Sequence, residues 1–158
     1  MRKNHHFYRI LTTVFSLLYS SFLIYAVFFA KRRRHPSGTR YLYIIPFKNT
    51  LHDFNDLPDI GLFNFLSNLL GNIFLFMPLP FILAILFKIT RFSTIIFTGF
   101  LMSFTIELLQ YIFDVGVADI DDLILNTLGT IFGYLCLMVC KKWVPGLFNE
   151  GNVVKNGG

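Results

Sequence analysis

Residues Glu107 to Asn126 read "ELLQYIFDVGVADIDDLILN". Five carboxylates fall within these 20 residues, and neither Lys nor Arg accompanies them. The segments on both sides, "FSTIIFTGFLMSFTI" at 92–106 and "TLGTIFGYLCLMVC" at 127–140, are almost wholly apolar. Two long apolar helices joined by a short acidic turn is the simplest reading. The acids then sit where the chain leaves and re-enters an apolar medium.

Composition identifies that medium. The chain has 158 residues, is 54% hydrophobic and only 15% charged, and has a mean hydropathy of +0.60. A soluble domain carries roughly 25% charge. The bilayer is therefore expected to solvate most of these side chains. The net charge of +5 is carried by basic residues that flank apolar runs. That distribution signals membrane topology and anionic headgroups, not nucleic acid. Cys136 and Cys140 lie four apart in an apolar run and read as small apolar side chains, not as a metal site or a disulfide.

Four spans follow, giving an all-α, polytopic integral membrane protein with a four-helix transmembrane bundle. The first runs from Ile10 to Ala30 and is too long for a signal peptide; "KRRRH" after it reads as a stop-transfer flank. Residues 31–61 form a polar loop whose patch "YLYIIPF" suits the membrane interface. The second span, Leu62 to Phe87, is expected to kink at Pro78 and Pro80. The third covers Phe92 to Phe113 and the fourth Ile120 to Cys140, with Lys141, Lys142 and Trp143 at its exit. The chain divides into an N-terminal anchor with its basic flank (1–40), a three-helix transmembrane domain (41–140) and a polar tail (141–158).

Alternation of direction places the start of span 2, the end of span 3 and the start of span 4 at one interface. At a rise of about 1.5 Å per residue, Asn72 lies ~15 Å into span 2, Glu107 ~9 Å inside the end of span 3, and Asn126 ~6 Å below Asp122. Helical spacing groups Asn64, Asn68 and Asn72 on one face, and Ser103, Glu107, Gln110 and Asp114 on another. Asp119, Asp122, Asn126, Gly129 and Gly133 form a third stripe that turns from polar to small. These stripes predict a polar pocket of Asn68, Asn72, Ser103, Glu107, Gln110, Asp119, Asp122 and Asn126. Pro78, Gly129 and Gly133 are read as helix-packing residues. The asparagines also suit helix–helix adhesion, and the aspartates also suit capping of span 4. Asp121 falls off the stripe and is expected to face the headgroups.

The same residues resemble the VanZ family of small bacterial membrane proteins. The resemblance rests on "NLLGNIFLFMPLPFILAILF" at 68–87 and "IELLQYIFDVGVADIDDLILNTLGTIFGYL" at 106–135, with "IIPF" at 44–47, and covers about residues 41–138. It carries the family pattern onto Asn68, Asn72, Phe76, Pro78, Glu107, Gln110, Asp119, Asp122, Asn126, Gly129 and Gly133. Two positions depart from it. Pro80 stands where many members have Gly, and Gly116 where many have an Arg that would counter the acids; the name-giving member also has Gly there. The resemblance implies a role in low-level tolerance of teicoplanin-type glycopeptides.

Three functional readings follow. In the first, the pocket holds the head of a lipid-linked cell-wall precursor or of a lipoglycopeptide, with Phe side chains beside its acyl chains. In the second, the chain is a membrane enzyme in which Glu107, Gln110 and Asp122 are candidate catalytic groups. Asp119, Asp121 and Asp122 would then ligate a metal; no cofactor is identified, and a divalent cation is the one oxygen ligands would hold. In the third, it is a proton-coupled carrier or a complex subunit. No His joins the cluster, although His52 lies on its side of the membrane. The expected location is the bacterial plasma membrane, with the lipid bilayer as partner, no nucleic acid, and oligomeric state open. Eight Lys and Arg on the N-terminal side against six on the acidic side favour the acidic junction facing outward.

Overall fold

The computed structural model describes residues 2–28, 42–114 and 117–143, with side chains over 10–25, 42–114 and 117–143. The basic flank at 31–35, Arg40, Gly116 and the C-terminal tail lie outside the described residues. In chain order the elements are α1 (Arg2–Phe28), β1 (Leu42–Tyr43), α2 (Lys48–Asn55), α3 (Leu57–Ile60), α4 (Leu62–Phe76), α5 (Leu79–Leu86), α6 (Phe92–Phe113), β2 (Ala118–Asp119) and α7 (Ile120–Trp143).

Three helical stretches among the described residues are long and apolar enough to cross a membrane: Leu62–Leu86, Phe92–Phe113 and Ile120–Trp143. The 22 residues of α6 span about 33 Å, matching a hydrocarbon core of about 30 Å. The apolar part of α1, Ile10–Tyr25, is shorter. Three of the four expected spans are met; of the first, expected over Ile10 to Ala30, residues 29–30 and the side chains of 26–28 lie outside the described residues.

Two further corrections concern the segment before α4. It is not a plain loop, because it contains two short helices. The protein is also not strictly all-α: β1 and β2 form a parallel two-strand bridge pairing Leu42 with Ala118 and Tyr43 with Asp119. This bridge ties the start of the 42–61 segment to the entrance of α7. Gly61, at φ 81, ends α3 and starts α4 in a conformation open to glycine at little cost.

The span Leu62–Leu86 breaks at Met77–Pro78 into α4 and α5. Pro78 and Pro80 have no N–H to donate one turn back to the carbonyls of Phe74 and Phe76, which interrupts the helical ladder before α5 restarts it. Pro78 O accepts from Phe81 N (3.1 Å) and Ile82 N (3.2 Å). Leu75 O accepts from Tyr19 Oη at 2.9 Å, which fastens α1 to the break.

Helix α7 packs against α4, α5 and α6. Small residues permit this. A Cβ at Gly129 would overlap the Ile73 carbonyl, and one at Gly133 the Met77 carbonyl. A Cβ at Gly99 of α6 would strike the Thr130 side chain. Close backbone approach of this kind gains dispersion contacts, which must drive helix association where lipid is as apolar as the side chains. The core is narrow, with Phe76, Ile95 and Leu137 fully buried and Leu79, Leu83 and Ile106 beside them. Most other large apolar side chains point outward, as the bilayer allows. Two apolar grooves, of about 460 and about 430 Å³, flank α1 against α5 and α6.

Candidate functional site

The acidic turn organises one end of the molecule in layers. At the top, Asp121 reaches the segment before α4. Its carboxylate accepts from Phe47 N (2.5 Å), Thr50 N (3.1 Å) and Thr50 Oγ1 (2.8 Å). These are first-turn donors of α2, which a helix cannot satisfy internally. Asp121 therefore caps α2 from 71 to 74 residues away. Phe47 is held at φ 61, a left-handed conformation costly for a bulky side chain. The charge-assisted bond at its N–H helps to offset that cost.

Asp121 is only 4% exposed. The expectation that it faces the headgroups is overturned. Helical periodicity put it off the α7 stripe correctly, but α2 covers that side. Asp119 joins the same layer: its Oδ2 accepts from Asn49 Nδ2 (2.7 Å), and its Oδ1 from Asp121 N (2.9 Å) in a tight turn that starts α7.

Below this layer, Glu107 of α6 accepts at Oε2 from Asp119 N, 3.0 Å. Asn72 of α4 donates from Nδ2 to Asp122 Oδ1 of α7. Deeper still, Asn126 Nδ2 donates to Ser103 Oγ at 2.8 Å, and Thr130 Oγ1 to Asn126 O at 3.1 Å. Asn126 Oδ1 is buried with no hydrogen-bond partner among the described residues. Asn72, Ser103, Glu107, Gln110 and Asn126 are all buried. Of these Glu107 is the ionisable one, and a carboxyl buried in a membrane helix is costly, which makes it a candidate functional group.

The predicted pocket residues divide between two places. Asn68, Asp119 and Asp122 line a small open cleft of about 30 Å³ between α2, α4 and α7, together with Asp121, Asn49, Thr50 and Asp53. Phe65, Leu69 and Leu125 complete its wall. Asn72, Ser103, Glu107, Gln110 and Asn126 lie beneath, in the helix packing. Asn64 belongs to neither: it is exposed and donates to Ile60 O at 2.8 Å. His52 also stays outside, pairing with Asp56 at 3.1 Å on the water side. Asp119, Asp121 and Asp122 do not converge on one centre. Among the described residues no group of three or more His, Cys, Asp or Glu side chains stands where it could hold a metal.

Asn49, Thr50 and Asp53 are the site residues that sequence reasoning missed. A signal for them existed: Phe47, Leu51 and Phe54 recur at helical spacing through a segment otherwise polar.

Three long apolar helices, packed through glycines and joined by an acidic junction at one end, define a membrane protein. A family model described as VanZ/LLP1 matches residues 11–141, most of the chain. The protein belongs to the VanZ/LLP1 family. No curated protein and no solved structure matches the chain.

Proposed function

We propose that this protein acts in the bacterial plasma membrane and gives low-level tolerance of teicoplanin-type glycopeptides, through the cleft at its acidic junction. The cleft, about 30 Å³, admits one small polar group from the head of a lipid-linked cell-wall precursor or of the lipoglycopeptide itself, and the rest of the head lies against its rim. The observation that carries this reading is the make-up of the cleft. Three aspartates and polar side chains of α2 stand beside Phe65, Leu69 and Leu125, so polar and apolar walls meet where an amphiphile would present both its parts. Binding is favoured over chemistry because Asp119, Asp121 and Asp122 accept hydrogen bonds from the protein's own amides and hydroxyl, which orders them as a fixed polar surface. The acidic junction faces outward in this reading.

The test is teicoplanin susceptibility of a sensitive Gram-positive host, with vancomycin as comparison. Wild type, Asp122→Asn and Glu107→Gln are expressed at matched membrane levels. Wild type raises tolerance of teicoplanin more than of vancomycin, and both variants lose the effect. A wild-type protein that leaves teicoplanin tolerance unchanged refutes the role. Maleimide labelling of Asn55→Cys in intact cells, with Cys136 and Cys140 replaced by Ser, checks the orientation. Protection until permeabilisation puts the junction inside.

A further inference from the structure

We infer that the segment from Ile44 to Gly61 lies flat in the headgroup region of the bilayer, as an interfacial plate that roofs the cleft, with one face in the lipid. This rests on the chain being a membrane protein and not on the proposed resistance role.

Both ends of the segment are pinned to the same interface. Its start is fixed by β1, which pairs with β2 at the entrance of α7. Its end is Gly61, where α4 begins its crossing. The eight residues of α2 cover about 12 Å, far short of a hydrocarbon core of about 30 Å. The segment therefore does not cross and stays on that one side of the membrane.

Helix α2 has three faces. Phe47, Leu51 and Phe54, spaced by four and three, share one face and are 52%, 59% and 55% exposed. Asn49, Thr50 and Asp53 face the cleft. His52 and Asp56, 3.1 Å apart and exposed, lie on the remaining side. A helix lying at an interface beside the protein has these three neighbours: lipid, protein and water. No residue of α2 is buried by the protein.

Lipid is the occupant of the apolar face, because Phe54 of that face packs edge-on against Phe65 of α4, ring centroids 6.0 Å apart, which joins it to the apolar span that follows, where Leu62 and Phe63 are exposed. Amphipathic helices of this type bury their apolar side about 5–10 Å into the headgroup and acyl boundary.

The test uses the full chain in vesicles of phosphatidylcholine and phosphatidylglycerol. The chain has one Trp, so Trp143→Phe clears the background. Single tryptophans are then introduced as Leu51→Trp, Phe54→Trp and His52→Trp. The first two give blue-shifted emission, resist acrylamide, and are quenched about two-fold more by lipids brominated near the headgroup than by lipids brominated deep in the chain, as the shallow depth requires. His52→Trp shows the reverse, quenched by acrylamide and not by brominated lipid. If Leu51→Trp fails to accumulate, Phe54→Trp on the same face decides. Acrylamide quenching of the outward tryptophans at the level of His52→Trp overturns the inference. Protection from both quenchers also overturns it, since a second copy or another protein would then cover the face.

Discussion

Asp121 fastens α2 to the acidic turn, so Asp121→Ala should release the segment from about residue 44 to 60 while leaving the transmembrane helices in place. The substitution removes the acceptor for three donors: Phe47 N, Thr50 N and Thr50 Oγ1. A hydrogen bond to a charged group contributes about 1.5–3 kcal/mol, and three on one carboxylate are not additive. The release of Phe47 from its left-handed conformation favours opening further. A shift of about 2–4 kcal/mol in local opening follows, which is roughly a 30- to 1,000-fold change in the opening constant. Hydrogen–deuterium exchange with mass spectrometry, on protein in lipid nanodiscs, reads this directly. Peptides spanning 44–60 exchange faster by that factor, and those from the interiors of α6 and α7 keep their wild-type rates. Asp121→Asn retains one acceptor oxygen and falls between. Asp122→Asn, at a carboxylate that accepts from Asn72 of α4, leaves 44–60 protected. Unchanged exchange over 44–60 in Asp121→Ala would refute the latch. Equal acceleration across α6 and α7 would refute its locality.

Two predictions concern the packing. Gly129→Ala and Gly133→Ala place a methyl against the carbonyls of Ile73 and Met77, where the added Cβ would overlap the oxygen and stand 2.9 Å from the carbonyl carbon. Each forces α4 and α7 apart and costs about 1–3 kcal/mol, read as a lower Tm in detergent. Gly71→Ala meets nothing within 4 Å and leaves Tm unchanged or raises it, since Ala favours a helix over Gly by about 1 kcal/mol. Tyr19→Phe removes the bond to Leu75 O and weakens the hold of α1 at the proline break by about 0.5–1.5 kcal/mol. Reduced cross-linking between cysteines placed on α1 and α5 reports it.

Much of the architecture was legible in the sequence because its cause is local. A run such as 92–113 must be solvated by something apolar whatever its neighbours do. The break at Pro78 follows from the missing N–H of proline, and the closeness of spans 2, 3 and 4 at one interface follows from alternating direction. The two short helices before α4 were less legible. Their apolar residues are few, and α2 is capped by a carboxylate more than 70 residues away.

Sequence by itself determined that this chain belongs in a membrane, where its long helices run, and that its carboxylates gather at one end. Those outcomes depend on hydropathy and helical period, which each segment carries alone. Only the tertiary structure decided what each carboxylate does. Asp121, read as facing the headgroups, is buried as the cap of α2. Asp119 turns the chain into α7, and Asp122 and Glu107 tie α4 and β2 to their neighbours. Period assigns a side chain to a face of its own helix. What covers that face depends on donors brought from distant parts of the chain, and those meet only when the protein folds.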